Sequence, residues 1–183
     1  SDYGGSVAIF GESYTNPNNT TQRLTTHMQP KFKDCVFIDN QVTSNNGGHG
    51  GAVYIENAAP IFESCVFDSN YANGAGGAVD IGGESTTDGD TVWVYKSTFK
   101  NNWVDDDGMS NKISTNGGAI NLRHGMLIVI SNSTFEKNMV ISKNSDFGSY
   151  GGAISINRSW DTKIRPLLHI KNSRFTKNIN RTE

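Results

Sequence analysis

Two short motifs alternate along the whole chain, and that alternation constrains the fold more than any other feature. The first reads Gly4-Gly5-Ser6-Val7, Gly50-Gly51-Ala52-Val53, Gly76-Gly77-Ala78-Val79, Gly117-Gly118-Ala119-Ile120 and Gly151-Gly152-Ala153-Ile154. The second is Phe-x-x-Asn, at Phe37/Asn40, Phe67/Asn70, Phe99/Asn102, Phe135/Asn138 and Phe175/Asn178. Recurrence in a fixed order marks a repeat architecture, in which each unit buries its apolar face against its neighbours. The phenylalanines lie 30, 32, 36 and 40 residues apart, so the coils keep their strands and vary their connections. A β-sandwich, the alternative, does not repeat the same side chains in register.

Aligning the copies assigns the faces. After each Gly pair the apolar positions alternate, as Val7/Ile9, Val53/Ile55, Val79/Ile81, Ile120/Leu122 and Ile154/Ile156. A period of two marks a strand with one buried side. A second inward pair precedes each Phe: Pro30/Phe32, Pro60/Phe62, Val92/Val94, Ile128/Ile130 and Leu168/Ile170. Two residues before each Phe, on its own face, come Cys35, Cys65, Ser97, Ser133 and Ser173. The pattern predicts an all-β solenoid of about five coils, with three short strands per coil and loops of variable length. Stacked at the ~4.8 Å strand spacing, equivalent side chains would form ladders along the axis. Each Phe is then expected to stack on the next. Each Asn is expected at a turn in left-handed backbone, its amide bonded to the Asn of the adjacent coil. The Gly pair is expected where a Cβ would clash on entering a strand.

Composition agrees with this reading. Leucine occurs only at Leu24, Leu122, Leu127, Leu167 and Leu168, whereas helix interiors favour Leu and Ala. The net charge of −2 supplies no basic field for nucleic acid or anionic lipid. No apolar run approaches the ~20 residues of a membrane helix, so no membrane insertion is expected. The 1–183 chain reads as one β-helix segment, its coils running over about 3–46, 47–75, 76–116, 117–150 and 151–183. Residues 11–29 form an Asn- and Thr-rich insertion, and 82–90 and 103–115 are expected loops. Both ends stop on open coils, which natural solenoids cover, so the segment reads as cut from a longer chain.

The Gly-Gly-Ala-[Ile/Val] and Phe-x-x-Asn pair resembles the repeat of chlamydial polymorphic outer-membrane proteins (Pmp-type) and similar repeats in surface proteins of some protists. The resemblance covers the chain from Gly4 to Asn178; Ser6 departs from it in the first copy, and the inter-motif loops are long. It implies a right-handed parallel β-helix exposed at a cell surface, often with adhesive roles.

Candidate chemistry is sparse. Cys35 and Cys65 share a column in adjacent coils, where Cα atoms ~4.8 Å apart fall within disulfide reach. Parallel stacking aims both Cβ atoms the same way, however, which favours buried free thiols. Glycan acceptor triplets occur at Asn18, Asn19, Asn132, Asn157 and Asn180. The outward columns of the first strand read Ala8, Tyr54, Asp80, Asn121, Ser155 and Phe10, Glu56, Gly82, Arg123, Asn157. Glu56 and Asp80 could pair as glycoside-cleaving carboxylates, but a solvated polar face is the favoured reading. Asp105-Asp106-Asp107-Gly108 could offer oxygens to Ca²⁺, with an exposed acidic loop favoured. His27, His49, His124 and His169 lack metal-ligand spacing, so neither metal nor cofactor is expected. Outward on the second strand, Ile61, Trp93 and Val129 would form an apolar stripe between Lys31 and His169, marking a docked loop (11–29 being the favoured cover) or a partner surface. Beside the first motif, Ser6, Ala52, Ala78, Ala119 and Ala153 read as a flat small-residue column. The expectation is a non-catalytic extracellular or cell-surface segment, a rigid scaffold with a lateral surface for adhesion or assembly. Its partners would be a protein, a glycan or further copies of itself. The alternatives are a carbohydrate-active β-helix enzyme and a structural unit of an extracellular filament.

Overall fold

A computed structural model describes residues 2–25, 28–82, 91–107, 114–123, 127–143, 148–157 and 167–182. In the first coil β1 is Val7–Phe10, β2 Ser13–Asn16, β3 Asn19–Thr25, β4 Lys31–Lys33, β5 Val36–Ile38 and β6 Gln41–Val42. The second holds β7 (Val53–Glu56), β8 (Ile61–Glu63), β9 (Val66–Asp68) and β10 (Tyr71–Ala72). The third holds β11 (Val79–Gly82), β12 (Thr91–Tyr95), β13 (Thr98–Lys100) and β14 (Trp103–Val104). The fourth holds β15 (Ile120–Leu122), β16 (Leu127–Ser131), β17 (Thr134–Glu136) and β18 (Met139–Ser142). The fifth holds β19 (Ile154–Ile156), β20 (Leu167–Lys171), β21 (Arg174–Thr176) and β22 (Ile179–Thr182). Equivalent strands pair in parallel into four stacked five-stranded sheets, the arrangement of a parallel β-helix.

Each coil thus contributes four strands to the stacked sheets, where the periodicity predicts three. The extra one (β6, β10, β14, β18, β22) follows each Phe-x-x-Asn and spans only two residues in the first three coils, too few to show a period. For that reason residues 103–115, expected as a loop, begin with a strand. The 11–29 insertion is likewise ordered in part, β2 and β3 pairing as an antiparallel hairpin.

Two corners per coil share one device. The chain turns through left-handed backbone at Asp34, Ser64, Lys96, Asn132 and Asn172, then again at Asp39, Ser69, Asn101, Lys137 and Lys177. The second set immediately precedes the motif asparagines. This corrects the expected left-handed backbone at Asn40, Asn70, Asn102, Asn138 and Asn178, none of which has a positive φ. The corner falls one position earlier, which frees each Asn to point inward.

Inside the corners run three ladders. The Phe37, Phe67, Phe99, Phe135 and Phe175 rings stack face to face, centroids 4.8, 4.5, 4.8 and 4.7 Å apart, which is the strand spacing itself. On one side each Asn from the second coil onward receives two bonds from the coil before it. The Asn70 main-chain N–H and Nδ2 donate to Asn102 Oδ1 at 3.0 and 2.9 Å, and Asn102 does the same to Asn138 at 3.1 and 2.9 Å. The second amide hydrogen of Asn102 goes to the Phe67 carbonyl.

The two ends of the asparagine ladder differ from its middle. Asn40 gives the usual pair of bonds to Asn70 Oδ1, at 3.1 Å from the main-chain N–H and 2.8 Å from Nδ2. It is only half-buried, however, unlike the enclosed Asn70, Asn102 and Asn138. Its Oδ1 accepts from the Ser6 hydroxyl instead of from an asparagine. Asn40 thus has an asparagine partner on one side only, because it stands in the first rung. Here Ser6, the residue that departs from the Ala of the other copies, fills the place of the missing amide. At the far end Asn178 accepts both bonds from Asn138, at 3.0 and 2.9 Å, and its Nδ2 donates to the Phe135 carbonyl.

On the other side of the rings the Ser97, Ser133 and Ser173 hydroxyls accept the N–H groups of Cys65, Ser97 and Ser133. Buried polar groups are tolerated when fully paired; here most are paired by their own counterpart.

The Gly pair closes the coil. Gly76 has φ +62°, and a Cβ on Gly77 would lie 2.2 Å from the Gly118 carbonyl oxygen and 2.6 Å from that of Trp103. The first sheet therefore meets the fourth backbone to backbone, an approach only glycine permits. The alanines after the pair (Ala52, Ala78, Ala119, Ala153) lie in the core cluster, correcting the expectation of a flat surface column. They turn inward because the strand proper starts one residue later.

Candidate functional site

The outward face of the first sheet is not the solvated polar surface its alternation suggests. Tyr54, Asp80, Asn121 and Ser155, in register across β7, β11, β15 and β19, are all buried. Asp80 has no exposed surface. Its Oδ2 lies 3.0 Å from His49 Nδ1 and 3.1 Å from Arg123 Nη2, and its Oδ1 accepts from Asn121 Nδ2 at 2.7 Å. Neither approach has hydrogen-bond alignment, and the Arg123 contact is an ion pair. Arg123 Nε is buried with no acceptor among the described residues.

Glycine at one position builds this cluster. Glu56, Gly82 and Arg123 are outward neighbours in successive coils, and a Cβ on Gly82 would come within 2.6 Å of Arg123 Nη2. The missing side chain is a notch through which Arg123 reaches back over β11 to the second coil. There Nη2 donates to the Tyr54 hydroxyl at 3.2 Å, with the guanidinium carbon 5.7 Å from the Tyr54 ring centroid. Tyr54 in turn donates to Glu56 Oε2 at 2.6 Å. His49 enters from the turn column that bridges Tyr3, His49, Ala75, Asn116 and Tyr150. Tyr3 lies over Tyr54 at 4.4 Å, and Phe10 meets Tyr3 edge-on. Along the coils, Asn157 Nδ2 donates to Asn121 Oδ1 at 3.1 Å, so a second amide chain ends on the Asp80 carboxylate.

The electrostatics follow from the packing. Burial opposes ionisation of Asp80, but the Arg123 charge, with His49 and Asn121, outweighs it and holds the carboxyl below its usual value. Burial, and then the Glu56 carboxylate, push the Tyr54 phenol far above its ordinary range, so it stays protonated and donates. Glu56 and Asp80 therefore do not stand as two open carboxylates across a cleft. One is enclosed and neutralised by Arg123; the other accepts a hydrogen bond from the Tyr54 hydroxyl. The cluster clamps coils two, three and four together. Sequence reasoning grouped Glu56, Asp80 and Arg123 but missed His49 and Tyr54. The glycine beside an arginine in one outward column was the legible signal.

The acidic run after β14 also disperses. Asp105 accepts from the Tyr71 hydroxyl at 2.6 Å, both oxygens of Asp106 face the Lys143 N–H at 3.0 Å, and Asp107 meets the Lys143 ammonium at 3.0 Å. Gly108 lies outside the described residues, as do His27 and His124. Among the described residues no trio of His, Cys, Asp or Glu is grouped to hold a metal. Cys35 and Cys65 are free thiols; Cys65 Sγ donates to the Phe32 and Glu63 carbonyls, in the manner of the serines above it. Burial raises the Cys65 thiol.

Of the glycan acceptors, Asn18 is exposed at the turn of the hairpin, Asn132 is exposed at a left-handed corner and Asn180 is exposed in β22. Asn19 lies in β3. Asn157 is half-buried, its Nδ2 bonded to Asn121, a bond with which a sugar would compete. The apolar stripe is in register: Lys31, Ile61, Trp93, Val129 and His169 pair successively across β4, β8, β12, β16 and β20. Trp93 keeps 41 % of its surface exposed, with Ile61 and Val129 half-buried on either side. The expected cover, the 11–29 insertion, lies in part outside the described residues, and the Trp93 ring itself stays open to solvent. Searches of family models, curated proteins and solved structures return no match to the chain.

Proposed function

We propose that this chain is a non-catalytic, Pmp-like β-helix segment of a secreted or cell-surface protein, a rigid scaffold whose lateral surface serves adhesion or assembly with a protein or glycan partner or with further copies. The observation that carries the reading is the Ile61–Trp93–Val129 stripe, an open apolar row that Leu127 and Leu167 extend on the same sheet face. A buried, paired backbone lies beneath it. Exposed apolar rows rimmed by charge mark interaction surfaces. Here the rim is Lys31 and Lys33, which both pair with Glu63 at 2.7 and 3.6 Å. The enclosure of Asp80 argues against a hydrolytic role for the first sheet's outward face, and the exposed acceptors Asn18 and Asn132 are compatible with a secreted chain, whereas the Asn180 amide is bonded to Ser149.

The test is Trp93→Ser. Attachment of protein-coated beads to cells and self-association by sedimentation velocity are measured for both forms. The substitution should lower at least one by about tenfold, the scale of a lost aromatic anchor. If both are unchanged while the fold is intact, the stripe is not the working surface.

A further inference from the structure

We propose a second site on this scaffold, a binding cleft for a neutral, hydroxyl-rich glycan between the turn over residues 44–47 and the 105–107 segment. It deepens the adhesion reading, and rests on it, by naming a ligand class.

The cleft arises from unequal connection lengths. From the fourth strand back to the Gly pair, the second coil crosses by little more than Asn73 and Gly74, whereas the coils on either side take longer routes. The short connection leaves a notch of about 490 Å³ with Tyr71 and Asn73 as floor, Thr43 to Asn45 as one wall and Asp107 as the other. That volume falls within the ~300–1,000 Å³ range of ligand sites.

Asn73 fixes the width. Its Oδ1 accepts the Ser44 and Gly48 N–H groups at 3.0 and 2.7 Å, and its Nδ2 donates to the Ser44 and Asp107 carbonyls at 2.9 and 3.0 Å. One buried amide, with all its capacity used, ties both walls together. Tyr71 is pinned by Asp105 beneath and by Trp103, stacked at 4.9 Å. The rim, in contrast, is unspent. Among the described residues, the exposed Gln41, Thr43 and Asn45 side chains have no partner, and the Asp107 carboxylate meets only Lys143. Held walls with free amide, hydroxyl and carboxylate groups are preorganised for a ligand with many hydroxyls.

Charge and hydrogen bonding narrow the class. Three aspartates against one lysine make the wall negative, which disfavours uronates, sulfated sugars and phosphates. An extended peptide would need an unpaired strand edge or an apolar side-chain pocket. Here β10 and β14 are paired on both sides, the free edge of β6 faces away from β10 and the notch, and the rim is polar.

The experiment titrates isotope-labelled protein with neutral trisaccharides of glucose, mannose, galactose and N-acetylglucosamine, and with trigalacturonate, following amide resonances. At least one neutral trisaccharide should shift Gln41, Thr43 and Asn45. Thr43→Ala with Asn45→Ala should weaken it about tenfold, one lost anchor's worth, and Trp93→Ser should leave it unchanged. Trigalacturonate should not bind. The proposal is overturned if no neutral sugar shifts these residues, if the double substitution has no effect, if Trp93→Ser abolishes binding, or if trigalacturonate binds as well. A failed titration alongside a Trp93→Ser attachment defect would sink the cleft alone; the converse pair of results would sink the stripe alone.

Discussion

The wall of stacked phenylalanines and the face around Asp80 lie in the same coils, and both are buried, yet they are joined by opposite logic. In the Phe wall every coil supplies the same residue, and each side chain is satisfied by its own copy one layer away. Around Asp80 the coils supply His49, Tyr54, Asp80, Asn121 and Arg123, each different, and the partners interlock across layers. Repetition gives a structure in which any interior layer resembles the next. Heterogeneity gives a clamp that exists at one height only. Like-on-like stacking suits rings and amides, which are neutral, but buried charges cannot stack on themselves, and the one enclosed carboxylate among the described residues, Asp80, stands where the repeat is broken.

The sharpest way to test that contrast is to damage each region in turn. Phe99→Ala, in a fully enclosed layer, should cost ~4 kcal/mol in chemical denaturation. Phe175→Ala, 40 % exposed in the last coil, should cost less than half of that. Equal costs would mean that stacking between layers contributes little.

Next in size, Asp80→Asn should destabilise by ~3 kcal/mol, because it leaves the Arg123 charge without its counter-ion. Pairing it with Arg123→Met should recover most of the loss, whereas Phe99 and Phe135 truncations should not rescue one another. The pH dependence has a definite direction. The Asp80 carboxyl is depressed in the fold relative to the ~3.9 of an unfolded aspartate. Its contribution is therefore whole above that value and is lost as the pH falls through the lower folded-state value. Denaturation midpoints followed from about pH 6 to about pH 2 should fall more steeply for the parent than for Asp80→Asn. Parallel curves would remove Asp80 from the acid response.

The smallest effect comes from the corners. Lys137 occupies left-handed backbone at φ +54°, which costs an ordinary side chain ~1 kcal/mol and asparagine less. Lys137→Asn, matching Asn101 in the preceding coil, should raise stability by about 0.5 kcal/mol. A loss instead would assign the Lys137 side chain a contact worth more than the backbone strain.

This division also explains what could be read from residues alone. The Phe, Asn and Ser/Cys columns were legible because identical residues recur at a fixed offset, and their inward direction follows from period two. The fourth strand was not: two residues such as Tyr71-Ala72 or Trp103-Val104 carry no periodicity, and only pairing across layers reveals them. The left-handed corner escaped for a related reason. Asp39, Ser69, Asn101, Lys137 and Lys177 share a backbone conformation but no side-chain chemistry, so the conspicuous Asn beside them took the assignment. The bond between Ser6 and Asn40 was hidden too, since it joins the two motifs where every other rung joins like to like. At Asp80 the residue types were visible, but their enclosure was not. His49 arrives from a turn column otherwise filled by Tyr, Ala and Asn, and nothing in its neighbours along the chain announces it.

One property of the asparagine column reaches beyond stability. From Asn40 to Asn138 each residue donates to the amide of the later coil, so the column has a direction, like a row of arrows. Removing or duplicating one whole interior coil would leave each arrow meeting the same kind of tail, since Asn70 could donate to Asn138 as it now does to Asn102. The asparagine column can therefore change height in whole steps, like marks on a ruler, whereas the Asp80 clamp, the stripe and the notch each need their own particular coils and would not survive the loss of one.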